Sequence, residues 1–180
     1  GTLDRRVRLT DKPRFLLWVS ALGQLAISSA HSQTVYLLDP ETLGIRGALS
    51  VGNGPDGLLA TDNHLYVAES GSNTVSIYDL RSRQISKRLN VGFMPRRLVQ
   101  SDNRIYVSNS QDRTISLLAV RQQTVVRDIQ MGELPSEMAV TVRDKWVYVA
   151  EQATGRLAVI DQTINRVVQH VELGTRPRHL

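Results

Sequence analysis

The chain has 180 residues, 41% apolar and 22% charged, which fits one folded domain with a sizeable core and excludes disordered or collagen-like classes. It contains no cysteine, so disulfides, thiolate nucleophiles, iron–sulfur clusters and haem attachment through a Cys-x-x-Cys-His motif are excluded for these residues. Lys plus Arg number 22 against 17 Asp plus Glu, a net charge of +5 that favours anionic partners, while the lack of any long run of like charges argues against a nucleic-acid-binding tail.

Taken in chain order, the sequence opens on Gly1 with no charged, apolar and small-residue leader pattern. Arg5 to Leu9 reads as the last strand of a preceding repeat. Val7, Leu9 and Pro13 form a degenerate connector in which Thr10 replaces a glycine. The longest apolar run, Phe15 to Val19, is of strand length, so no transmembrane segment is expected. Connectors Val51-Gly52, Val91-Gly92, Met131-Gly132 and Leu173-Gly174 then recur about every 40 residues. Each precedes a proline by two intervening residues: Pro55, Pro95, Pro135 and Pro177.

The repeats span approximately 13–52, 53–92, 93–132 and 133–174 of a single 1–180 segment, with partial units at both ends. In the second unit, apolar runs Gly57 to Ala60, Leu65 to Glu69, Thr74 to Asp79 and Gln84 to Val91 alternate with turns rich in Asp, Asn, Ser and Gly. The third unit repeats this at Ile105 to Asn109, Thr114 to Ala119 and Thr124 to Met131, and the fourth at Val147 to Glu151, Arg156 to Asp161 and Asn165 to Val171. Four short strands in about 40 residues predict an antiparallel β-propeller blade. The fold expected is therefore all-β, four tandem four-stranded blades.

Leu65-Tyr66-Val67-Ala68-Glu69, Ile105-Tyr106-Val107-Ser108-Asn109 and Val147-Tyr148-Val149-Ala150-Glu151, with the Val-Gly-x-x-Pro connector, resemble the YVTN-type β-propeller repeat. That resemblance covers nearly the whole chain. It implies that connectors and the loops joining second to third strands converge on one face. It also brings relatives of mixed function, including lactone hydrolases and propeller subunits of redox enzymes. Four blades with two stubs predict an arc of a seven- or eight-bladed ring. Bared apolar faces at the two ends would forfeit on the order of 10 kcal/mol, comparable to a whole domain's stability. Either further blades or the pairing of two arcs is expected to cover them.

No reactive constellation stands out. His31, His64, His170 and His179 lack ligand spacing, so no metal or cofactor is assigned, and neither a nucleophile elbow nor a phosphate loop is present. Asp39, Asp79 and Asp161 end third strands and are expected to cap turns; Ala119 replaces the carboxylate in the third unit. Glu69, Asn109 and Glu151 form a second repeated series, offered as ligand contacts at the loop face. Arg14, Arg96, Arg97 and Arg178 follow connector prolines, and their charges are expected to add around the axis, with Asp56 and Glu137 neutralising part through surface pairs.

The function expected is a non-catalytic scaffold that binds a protein partner or an anionic ligand on this face. The alternative is part of a propeller enzyme or redox subunit whose reactive groups lie outside the segment. Nucleic acid is disfavoured, because Tyr66, Tyr106 and Tyr148 occupy repeating strand positions. The resemblance, Gly1 in place of an initiator Met and the missing thiols together predict an extracytoplasmic setting, periplasm or cell surface.

Overall fold

The computed structural model describes residues 12–141 and 145–174. The stub at Arg5 to Leu9, Arg178 and His179 lie outside the described residues. Sixteen strands form four antiparallel sheets, each a simple meander. The first blade contains β1 (Pro13–Val19), β2 (Gln24–Ser29), β3 (Thr34–Leu38) and β4 (Ile45–Ser50). The second contains β5 (Pro55–Ala60), β6 (His64–Glu69), β7 (Thr74–Asp79) and β8 (Gln84–Asn90). The third contains β9 (Pro95–Ser101), β10 (Arg104–Asn109), β11 (Thr114–Ala119) and β12 (Thr124–Gln130). The fourth contains β13 (Pro135–Val140), β14 (Trp146–Glu151), β15 (Arg156–Asp161) and β16 (Arg166–Glu172). Among the described residues there is no helix, and none long and apolar enough to cross a membrane.

The blades stack through their faces. β1 packs on β5, β5 on β9 and β9 on β13, which makes these the inner strands, while no comparable packing returns β13 to β1. The four blades thus form an open arc. Alternation along the middle strands supplies both faces of each blade. In β6, Leu65 and Val67 pack with the first blade, and Tyr66 and Ala68 with the third. In β10, Ile105 and Val107 face the second blade while Tyr106 faces the fourth. Tyr66 and Tyr106 are therefore inter-blade core, whereas Tyr148, on the last blade, is only partly buried, and burial raises the pKa of the Tyr66 and Tyr106 phenols.

Equivalent positions expose what the arc leaves bare. Leu58 and Leu98, the fourth residues of β5 and β9, are 2% and 8% exposed, whereas Leu16 of β1 is 59% exposed. Trp18 stands beside it at 50%. The face of the first blade that points away from the second therefore carries the kind of residue that inner blades bury against a neighbour.

The prolines of the connector are the first residues of β5, β9 and β13. A residue without an N–H is tolerated there because the ladder has not begun. Gly57 has a different reason for its identity: a Cβ would lie 2.1 Å from the Arg96 carbonyl oxygen, so β9 approaches β5 across bare backbone.

Turn capping by the repeated aspartates is visible directly. Asp39 Oδ1 accepts the N–H groups of Glu41 and Thr42 at 3.0 and 2.8 Å. Asp79 does the same for Arg81 and Ser82 at 3.0 and 2.6 Å, and Asp161 for Thr163 and Ile164 at 2.6 and 3.4 Å. In the third blade, where Ala119 lacks a carboxylate, Asn103 Oδ1 from the neighbouring turn accepts the Arg121 N–H at 3.1 Å. Backbone donors, first Thr42, Ser82 and Thr163 respectively, hold all three carboxyls below their usual range.

A depressed folded-state pKa contributes stability that is complete above the unfolded value, near 3.8, and is lost as pH falls through the folded value. Urea midpoints should therefore fall on acidification below about pH 4. Asp161→Asn should lose less stability between pH 7 and pH 3 than the parent. Parallel losses in the two proteins would show that the cap is not linked to folding.

Candidate functional site: the connector face

Connectors and second-to-third-strand turns meet on one face, stitched by backbone hydrogen bonds. Ser70 N–H donates to the Gly54 carbonyl at 2.9 Å and Gly71 N–H to Asn53 at 3.0 Å. Ser110 and Gln111 repeat this with Met94 and Phe93 at 2.9 and 3.3 Å. These two connectors are thus pinned to the blades they enter, and the residues after their prolines lie on β5 and β9, the inner strands.

Arg14, Arg96 and Arg97 converge there on a single carboxylate. Asp56, 3% exposed, receives Arg14 Nη2 at 3.0 Å, Arg96 Nε at 3.3 Å and Arg97 Nη1 at 3.0 Å. Arg97 Nε also donates to Glu137 at 2.7 Å, and its guanidinium lies 5.4 Å from the centroid of the Phe15 ring. One arginine on the third blade therefore touches the first, second and fourth. The expected surface pairing with Asp56 is corrected here: the carboxylate is buried beneath the guanidiniums. A buried carboxylate without cationic partners would carry a large desolvation penalty. Arg97 is consequently a structural hub, whereas Arg14 and Arg96 keep side chains 41% and 36% exposed.

Glu69, Asn109 and Glu151 do not reach this surface. All three are fully buried beneath the connectors. Glu69 Oε1 accepts the Gly52 N–H at 2.6 Å and the Ser76 hydroxyl at 2.5 Å, and Oε2 accepts the Thr74 hydroxyl at 2.5 Å. Ser76 Oγ in turn accepts Arg88 Nε at 3.1 Å. The third blade reverses the chain's polarity. Asn109 Nδ2 donates to Thr114 and Ser116, both at 2.9 Å, and the Ser116 hydroxyl donates to Asp128 at 2.6 Å. Hydroxyls can rotate to accept or donate, which lets Glu/Arg in one blade become Asn/Asp in the next.

In the fourth blade Ala158 removes the serine. Glu151 Oε2 lies 3.3 Å from Arg156 Nε, while Oε1 lies 3.6 Å from His170 Nε2 and accepts the Glu133 N–H at 3.2 Å. The ligand-contact role expected for this series thus gives way to an internal one, because these side chains fill the space under the connector. The connector glycine follows from the same geometry: a Cβ on Gly52 would come within 2.5 Å of Glu69 Oε2.

Of the clefts between the third and fourth blades, the two largest lie at opposite ends. On the connector face, a cleft of about 470 Å³ lies between Met94, Arg96, Gln111, Leu134 and Ser136. At the opposite end a cleft of about 660 Å³ includes Arg104, which donates to the Gln162 carbonyl and to Asn165 Oδ1 at 3.2 Å, bridging the two blades. His64 holds the place equivalent to Arg104 in the second blade, 3.1 Å from Gln123 of the third. These are inter-blade latches. Sequence reasoning missed the apolar lining of the connector-face cleft. The signal was the change from Asn53-Gly54 in one connector to Phe93-Met94 and Glu133-Leu134 in the next two. Among the described residues, no group of three or more His, Asp or Glu is placed to hold a metal.

Radially stacked four-stranded meanders define the class as a β-propeller. Solved structures agree. Hydrazine synthase of Kuenenia stuttgartiensis superposes with a TM-score of 0.82 at 22% identity, over 94% of this chain and 52% of that one. The β-propeller domain of Cps50 (Swd1) from Myceliophteria thermophila gives 0.81 at 14% identity, over 97% and 59%. The dihydro-heme d1 dehydrogenase NirN, solved in complex with DHE, gives 0.76 at 10% identity, over 91% and 38%. The chain spans between 38% and 59% of the length of these structures, and at such identities the likeness carries the fold alone. No family model and no curated protein matches the chain.

Proposed function

We propose that this chain is part of a non-catalytic propeller scaffold of the YVTN type. Its connector face docks an acidic protein partner or an anionic ligand, in an extracytoplasmic setting. The observation that carries the binding role is the charge count at the inner edge. Three guanidiniums, Arg14, Arg96 and Arg97, share two carboxylates, Asp56 and Glu137, leaving one surplus positive charge with Arg14 and Arg96 half-exposed. A guanidinium anchored through one nitrogen keeps its remaining fork for a carboxylate or phosphate. The bared apolar face at Leu16 and Trp18 fits a further blade, in keeping with an arc of a larger ring.

The test is a double Arg14→Ala, Arg96→Ala variant titrated with a fluorescein-labelled octaglutamate peptide at several ionic strengths. Arg97 is left intact because it ties the blades together. Losing two charge-assisted contacts should weaken binding at least about tenfold at low salt and flatten its salt dependence. Unchanged affinity and unchanged salt dependence would remove the binding role from these arginines. Recovery of the native protein in the cytosolic fraction would reject the extracytoplasmic setting.

A further inference from the structure

We infer that the connector-face cleft between the third and fourth blades is a specificity pocket for an acidic protein segment that carries an apolar side chain next to its carboxylate. This rests on the reading of the connector face as a docking surface, and deepens it by naming what the partner must present besides charge.

The cleft, about 470 Å³, has two chemically distinct parts. Met94, Leu134 and Pro135 form an apolar wall, and Arg96 lies at the end nearest Asp56, held there through its Nε at 3.3 Å. Phe93, adjacent to Met94 and linked through its carbonyl to the Gln111 N–H, is 61% exposed at the rim. The preceding connector has Asn53 and Gly54 at these two positions, so apolar surface is confined to the connectors that flank Arg96.

Backbone geometry sharpens the contrast. Met94 has φ 52°, where the preceding connector uses Gly54 at φ 61°. A residue with a Cβ is disfavoured in that conformation, yet it is what sets a flexible apolar side chain against the cleft.

The occupant follows from charge and shape. At the Arg96 end, Arg14, Arg96 and Arg97 outnumber Asp56 and Glu137, so the charge that fits there is negative, whereas Asp112 Oδ2 accepts the Phe93 N–H at 3.3 Å and leaves the rim to the apolar side chain. Glu133 does not cancel this at the cleft, since its backbone N–H goes to Glu151 and its carboxylate lies 3.7 Å from Arg113. A small carboxylate would leave Met94, Leu134 and the exposed Phe93 ring uncovered. A peptide crossing the rim covers them, placing an acidic side chain on Arg96 and a neighbouring Leu or Phe against the wall. Aromatic side chains, methionine and arginine are enriched at protein interfaces, and Phe93, Met94 and Arg96 supply that composition here.

The experiment compares two fluorescein-labelled probes on the parent chain: octaglutamate, and the same octapeptide with its two central positions changed to Leu and Phe. The mixed probe should bind about tenfold more tightly despite its lower charge. Met94→Gly, which restores the residue type found at Gly54, and Leu134→Ser should each erase that advantage without changing octaglutamate binding. Far-ultraviolet spectra of both variants check that the blades persist. A mixed probe that binds no better than octaglutamate, or an advantage that survives both variants, overturns the pocket while leaving the arginine surface standing. If neither probe binds, the pocket and the docking surface fall together.

Discussion

Glu69→Ala is expected to destabilise the chain by about 3–5 kcal/mol, the range for removing one partner of a buried charged cluster. The substitution strips the acceptor from the Gly52 N–H and from the hydroxyls of Thr74 and Ser76 in one step. Each buried donor left without a partner costs about 1–3 kcal/mol. The effect reaches two blades, because Gly52 belongs to the connector that arrives from the first blade while Thr74 and Ser76 lie on β7. Glu69→Gln should cost clearly less, since Asn109 shows that an amide serves the same position once the hydroxyls rotate. Urea unfolding with matched slopes checks this. A loss below about 1 kcal/mol for Glu69→Ala would mean that water replaces the carboxylate and that the connector is held by other contacts.

Gly57→Ala is expected to be as damaging as a much larger overpacking substitution. Its added methyl would meet the Arg96 carbonyl oxygen at 2.1 Å and the carbonyl carbon at 3.0 Å, both backbone atoms. Side chains can turn aside; a strand in a ladder cannot. Relief requires β9 to move from β5, which also draws Arg96 and Arg97 away from Asp56. Overpacking in a core costs about 1–3 kcal/mol, and this case should sit at or above the upper end. Gly174→Ala is a useful contrast, because a Cβ there meets nothing within 4 Å, although its φ of 85° still favours glycine. Equal stability of Gly57→Ala and the parent would show that the second and third blades are not packed at the distance described.

Much of the fold is legible in the residues, and the reason is local. β7, β11 and β15 span Thr74–Asp79, Thr114–Ala119 and Arg156–Asp161, the same bounds that the apolar runs and turn residues imply. Their hairpin chemistry lies within a few positions of each strand end. The inner strands are less legible. β5 begins at Pro55 rather than Gly57, because the connector proline looks like turn material until the strand beside it is known.

The candidate site divides the same way. That Arg14, Arg96 and Arg97 would gather near the axis follows from the repeat, since equal places in successive blades become neighbours. That Asp56 would be buried among them does not. It depends on guanidiniums arriving from two other blades, each about 40 residues distant in sequence. That Glu69, Asn109 and Glu151 are buried and not at the surface is hidden from the sequence for a related reason. A polar residue that closes a strand before a turn has the same pattern whether it points outward or under a connector contributed by the preceding repeat. Only the glycine of that connector hints at the answer, and its meaning emerges once the carboxylate is seen to occupy the missing side chain's space.

The proposed docking of acidic chains on the connector face can be mapped by following amide chemical shifts while octaglutamate is added to the isotopically labelled chain. Perturbations should concentrate at the start of β1, around Met94 to Arg97, and in the facing turns at Ser110 and Gln111, and should fade as salt is raised. Perturbations centred instead on the opposite cleft around Arg104, Lys145 and Asn165, or none at low salt, would contradict it.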